Sequence, residues 1–199
     1  GRPIPLAGLK LEVASLLNEK TVKSLKTGES IMESLREVTA IIDATLQQKD
    51  YMEGKKGYIE RAYFSYIDDS YQPYRLYIPS SYTGDRPYPL FVYLHGYVPS
   101  YTKAEWVDEI EELTAQMEKH DAILAVPFGR SNTDFQTVGE VDVMRVVKEV
   151  RKLYSIDGDR MYIIGYSMGG SGMWTIIQHY PDIFAGGVSL GGRTDFYYW

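Results

Sequence analysis

Between Leu90 and Leu190 the sequence alternates short apolar runs with amphipathic stretches. Leu90–Leu94, Ile123–Val126 and Met161–Ile164 read as strands buried on both faces, since such continuous apolar runs offer no polar face to water, and Gly187–Leu190 reads as a fourth strand. The intervening stretches carry helical spacing. Residues 103–119 form the first, with Glu105, Asp108 and Glu109 placed to suit the dipole of its opening turns. Val138, Val141, Val146, Val147, Val150 and Leu153 mark the second, and residues 169–179 the third. Parallel strands need such crossovers, so the pattern predicts a mostly parallel, doubly wound α/β sheet with helices on both sides. Ahead of it, Tyr63–Tyr66 and Tyr74–Ile78 predict an antiparallel pair that turns through Asp68-Asp69-Ser70.

The first 56 residues have a different texture. Residues 9–50 read as helix, with Val13, Leu16 and Leu17 at i, i+3, i+4 spacing and a break at Thr27-Gly28. A second helix is expected to start from a capping box, Ser30 with Glu33. Its apolar stripe is Ile31, Leu35, Val38, Ile42 and Leu46. A helical hairpin this small cannot cover its own stripe, so the stripe is expected to pack on the rest of the chain or on a partner. The heptad is not sustained, which argues against a coiled coil. Lys55-Lys56-Gly57 reads as the linker, giving a helical segment over 1–56 and an α/β domain over 57–199.

Composition removes several classes of function. The chain of 199 residues carries 21 basic and 27 acidic side chains. Residues 57–199 hold 12 basic against 19 acidic groups, a net charge of −7 that repels a phosphate backbone. Nucleic acid is therefore not expected as a partner. There is no cysteine, which excludes disulfides, thiolate catalysis and cysteine metal sites but leaves the compartment open. Three separated histidines give no metal-binding spacing. No apolar run approaches the roughly 18 residues of a membrane span. The first residue is Gly1, and the aromatic end Phe196-Tyr197-Tyr198-Trp199 carries no stop signal. The sequence is thus expected to be a piece of a longer polypeptide.

Gly165-Tyr166-Ser167-Met168-Gly169 is the string that carries chemistry. It follows a buried strand directly and opens a helix rich in small residues (Gly169, Gly170, Ser171, Gly172), which is the setting of a nucleophile elbow. There a serine sits on a sharp strand-to-helix turn, its flanking positions must be small, and the helix N-terminus favours negative charge beside it. Leu94-His95-Gly96-Tyr97 ends the first buried strand, where an α/β-hydrolase places its oxyanion loop. The expected site is therefore Ser167 as nucleophile, with the backbone N–H groups of Tyr97 and Met168 as oxyanion donors. His95 precedes that turn and reads as a residue that fixes the loop. Tyr97 and Tyr166 are the side chains expected to face a bound substrate. Residues 57–199 hold 17 of the 18 tyrosines, and such rings suit sugars or phenolic acids as well as ordinary strands.

Residues 74–199 resemble the first part of the α/β-hydrolase serine esterases that include polyhydroxyalkanoate depolymerases, feruloyl esterases and acetylxylan esterases. Arg75-Leu76-Tyr77-Ile78-Pro79 resembles the family's lead-in strand, and Pro89–Gly96 its oxyanion strand. Ile156–Tyr162 followed by Gly-Tyr-Ser-Met-Gly-Gly is similar to its nucleophile block, and His179–Ala185 to the segment after the elbow helix. The resemblance implies hydrolysis of a carboxylic ester, small or polymeric, with no cofactor. Peptidases of the prolyl-oligopeptidase kind share much of the pattern and form the alternative enzyme reading. A non-catalytic module that binds through residues 9–50 is the alternative outside enzymes.

The chain also departs from the family. In this fold the order is nucleophile, acid, histidine, the last two usually after later strands, and here the sequence ends just past the sixth strand. His95 and His120 precede Ser167, and His179 lies about 17 Å away along the elbow helix. The resemblance thus places the catalytic histidine outside this sequence and expects a further segment or a second polypeptide to complete the sheet. Asp195, just after the sixth strand, stands where some lipases keep the triad acid; an ordinary loop aspartate is the competing reading. Asp157 and Asp159 read as turn formers before their strand.

Overall fold

A computed structural model describes residues 28–102 and 110–194 of the chain. They form two compact units, one of residues 28–55 and 60–73, the other of residues 56–59, 74–102 and 110–194.

In the first unit, α1 (Gly28–Leu46) is amphipathic, but its burial differs from the expected stripe. Leu35, Ile42 and Leu46 are exposed, whereas Ile41, one position off the stripe, is buried. The side chain of Ile31 and the whole of residues 9–27 lie outside the described residues. The helix is described from Gly28, two residues before Ser30, which corrects the cap at Ser30, while the chain on the other side of the expected break at Thr27-Gly28 lies outside the described residues. A helical glycine costs only about 1 kcal/mol relative to alanine, an amount that context readily offsets. Arg61, almost fully buried, donates to Asp50 at 2.9 Å.

Strands β1 (Gly57–Ser65) and β2 (Ser70–Ile78) form the hairpin, joined by the turn at 66–69 and longer than the sequence pattern indicated. The elements that follow are β3 (Tyr88–Leu94), α2 (Glu111–Lys119), β4 (Ile123–Pro127), α3 (Val138–Leu153), β5 (Ile156–Tyr166), α4 (Met168–His179) and β6 (Gly186–Leu190). The strand order is β1-β2-β4-β3-β5-β6. β4, β3, β5 and β6 run parallel, and β2 is antiparallel to β4. The mostly parallel, doubly wound sheet is therefore present. The helix expected over 103–119 is described from Glu111, with acidic Glu111 and Glu112 in its first turn; residues 103–109 lie outside the described residues. Asp157 and Asp159 fall inside β5 rather than before it. The turn chemistry survives there, because Asp157 accepts from the Asp159 N–H at 3.0 Å and pairs with Arg160 at 2.7 Å.

Right-handed crossovers put α2 on one face, since it steps from β3 to β4, and put α3 and α4 on the other, since they step back through β5 to β6. The two faces of β3 divide accordingly. Phe91 and Tyr93 pack on the cluster of Met117, Leu124, Val126 and Phe128, while Leu90, Val92 and Leu94 are fully buried on the opposite side. Each buried aliphatic side chain contributes about 1.5–3 kcal/mol, so the carboxyl ends of β3, β4 and β5 are held on a rigid frame. Among the described residues no helix is long and apolar enough to cross a membrane.

Candidate active site

Ser167 stands between the last residue of β5 and the first of α4 with φ 50° and ψ −114°. A β-carbon in that region costs roughly 1–3 kcal/mol, so neighbouring contacts must hold it. The Ser167 N–H donates to the Leu190 carbonyl at 2.7 Å, and the Ser167 carbonyl accepts from Gly170 N–H at 2.9 Å. The glycines around it have no room for a side chain. A Cβ on Gly165 would lie 2.0 Å from the Gly169 carbonyl oxygen, and one on Gly169 would lie 2.1 Å from that of Leu94. The residues after β6 close on the same point, where Ser171 Oγ accepts from the Arg193 N–H at 2.9 Å.

Thr137 shares this backbone conformation, with φ 49° and ψ −112°. The turn alone therefore does not single out Ser167. Its place does, directly at the carboxyl end of a central parallel strand, where ligands collect in open α/β sheets. The side chain of Ser167 is half-buried, and the first N–H groups of α4, Met168 among them, have no intrahelical acceptor.

The loop after β3 lies against the elbow. A Cβ on Gly96 would meet the Tyr166 ring at 2.9 Å. Tyr166, next to Ser167 in the chain, and Tyr97 are both more than half exposed, while Met168 is buried. His95 is buried under the loop, its Nε2 3.1 Å from the Phe128 carbonyl and its Nδ1 2.8 Å from that of Gly96. Its ring lies edge-on to Tyr101 and Phe135. Burial lowers its pKa, partly offset by the two carbonyl contacts. His120 ends α2, and His179 ends α4, where it contacts Glu140 at 3.0 Å. Among the described residues no histidine or carboxylate hydrogen-bonds the Ser167 hydroxyl. Asp195 lies outside the described residues. No group of three or more potential ligands among the described residues could hold a metal ion.

The loop at 128–137, between β4 and α3, was not legible as part of this site. Gly129, Arg130, Ser131, Asp134, Phe135 and Thr137 all take positive φ, though only one is glycine. Phe135 is fully buried, and a Cβ on Gly172 of α4 would meet its Cβ at 2.6 Å. Asn132 bonds the backbone of Val98 twice, accepting from its N–H at 3.1 Å and donating to its carbonyl at 3.0 Å.

Solved structures share this fold. A thermostable esterase is 25% identical with a TM-score of 0.55; it matches over 69% of this chain and 41% of its own. The chain has an α/β-hydrolase fold. The fluorophosphonate-binding serine hydrolase F of Staphylococcus aureus, substrate bound, is 21% identical (TM-score 0.54, 70% of this chain and 58% of its own). A Bacteroides ovatus protein described as a dipeptidyl aminopeptidase IV is 20% identical (TM-score 0.60, 76% and 24%). The chain thus spans less than two thirds of each of these structures. Residues 130–199 match the sequence pattern of the Prolyl oligopeptidase family (peptidase S9), a stretch that includes the elbow. Among curated proteins none matches this chain.

Proposed function

We propose that this chain carries the nucleophile and oxyanion donors of a serine hydrolase acting on carboxylic esters. Ser167 Oγ attacks the ester carbonyl carbon as a base takes its proton. The N–H groups of Tyr97 and Met168 stabilise the oxyanion, and the carbon–oxygen bond to the alcohol breaks as that oxygen is protonated. Water then hydrolyses the acyl-serine and releases the carboxylic acid. No cofactor is needed for these steps. The base is a histidine outside this chain, and Asp195 is the candidate acid. A segment or second polypeptide that pairs with β6 would bring the histidine to the site. Tyr166 and Tyr97 are the side chains assigned to contact with the ester, and their exposure supports that role.

The observation that carries this reading is the strained Ser167 turn at the end of β5, held by glycines that pack backbone against backbone. The likeness to a thermostable esterase supports it. A serine peptidase is the second reading, supported by the Prolyl oligopeptidase family match over residues 130–199. It would use the same serine.

Labelling by a fluorophosphonate tests both, because the reagent phosphonylates an activated serine. The intact protein should be labelled at Ser167 and lose both label and turnover in Ser167→Ala. Because an activated p-nitrophenyl ester is the easier substrate for either kind of enzyme, turnover of a matched peptide amide supports the peptidase, and turnover of esters with none of the amide supports the esterase. No labelling, with no turnover of either, would leave the binding-module reading in its place.

A further inference from the structure

We infer that Asn132 is a positioning residue that aims the Tyr97 N–H at the oxyanion, an inference that rests on the roles of Ser167 and Tyr97 proposed above. Tyr97 has little to hold it by its own side chain, which is 62% exposed. Its neighbour Gly96 is the softest residue of the loop. The direction of the Tyr97 N–H is therefore set by the backbone anchors on either side. On one side, His95 contacts the carbonyls of Gly96 and Phe128. On the other, the amide of Asn132 closes a two-point hydrogen bond on Val98, at 3.1 Å to its N–H and 3.0 Å to its carbonyl. One partner is a donor and the other an acceptor, so the orientation of the amide is unambiguous.

Asn132 itself stands on a stiff platform. Arg130 pairs with buried Asp142 at 2.7 Å, Thr133 Oγ1 donates to the Gly129 carbonyl at 2.6 Å, and Phe135 is fully buried. The loop at 128–137 thus acts as a template that transmits the rigidity of β4 and α3 to the oxyanion loop. A preorganised donor is effective only when it points at the place where charge develops, and small errors of placement in such sites lower the rate strongly.

The test compares Asn132→Ala and Asn132→Asp with the intact wild-type protein. Removing an oxyanion donor outright lowers kcat about 10²–10³-fold. A donor left in place but poorly aimed should lose about 10–100-fold in kcat, with KM changed less than about 3-fold. Asn132→Asp keeps the acceptor for Val98 N–H and loses the donor, and should fall between wild type and Asn132→Ala. The preference for an oxygen ester over its thiono analogue should shrink in both, and Val98 N–H exchange should quicken even in a variant of low activity. A kcat within 2-fold of wild type with an unchanged thiono ratio overturns the inference. So does a loss confined to KM, or a kcat loss that tracks a lowered melting temperature and vanishes in a cooler assay. Turnover that survives Ser167→Ala would instead sink the serine reading itself, whatever Asn132 does.

Discussion

The Cα of Gly169 passes so close to the carbonyl of Leu94 that a Cβ on it would stand 2.1 Å from that oxygen and 2.7 Å from the carbonyl of His95. Neither neighbour is a flexible side chain, so the elbow helix would have to move off the end of β3. Gly169→Ala should therefore destabilise the protein by about 3 kcal/mol, the upper part of the range for overpacking. Gly158→Ala, where a Cβ meets nothing within 4 Å, serves as the matched control and should change stability by less than about 0.5 kcal/mol. Urea unfolding of the two variants decides it; equal midpoints would mean that the elbow is not held by this contact.

In α1 the buried position is Ile41 at 5% exposure, while Leu35 is 54% exposed. Leu35→Asp should therefore shift stability by less than about 0.5 kcal/mol, and Ile41→Ala should cost about 2–4 kcal/mol. Thermal unfolding that ranks them the other way would show Leu35 covered in solution.

The contrast between α1 and the sheet shows which features a sequence can carry. Leu90–Leu94 and Ile123–Val126 are apolar at every position, so both faces can be buried and the strands are recognisable without tertiary context. The Gly-x-Ser-x-Gly elbow is local, and its neighbours in sequence are its neighbours in space. The stripe of α1 is different, because Ile41 and Ile42 sit side by side and only tertiary context decides which is covered. The clamp between Asn132 and Val98 joins two loops 34 residues apart, and an asparagine in a loop carries no signal of that. Nor do the positive φ angles of Arg130, Ser131 and Phe135, which the surrounding packing imposes on residues that do not favour them.

Glu118 gathers the Ser80 hydroxyl, the Ser80 N–H and, at 2.8 Å, the Tyr77 hydroxyl. The Ser80 bonds, then Tyr77 and nearby Lys56, hold its carboxyl below the usual glutamate value. The fold therefore binds a proton at Glu118 less readily than the unfolded chain does. The stabilisation is complete above the ordinary glutamate range and is lost as pH falls through the lowered value. Wild type should accordingly be more stable than Glu118→Gln at pH 7, with the difference closing below about pH 4. A gap that stays constant from pH 7 to pH 3 would show that the carboxylate charge contributes nothing.

Arg130 and Asp142 form a largely buried ion pair between the loop at 128–137 and α3. Nε donates at 2.7 Å and Nη2 at 3.4 Å to the two carboxylate oxygens, and only 13% and 3% of the two side chains are exposed. Two charges placed so far from water stabilise little as a pair, yet either one left alone is costly. Asp142→Ala should therefore lower stability by about 3–5 kcal/mol, whereas Arg130→Met with Asp142→Leu should recover most of that loss. The pair also anchors the loop two residues before Asn132, so the single variant should lower kcat as well, and the double variant should restore stability more fully than turnover. Chemical denaturation and steady-state kinetics on the same preparations separate the two effects. If Asp142→Ala costs less than about 1 kcal/mol, the pair is open to solvent and does not stiffen the platform.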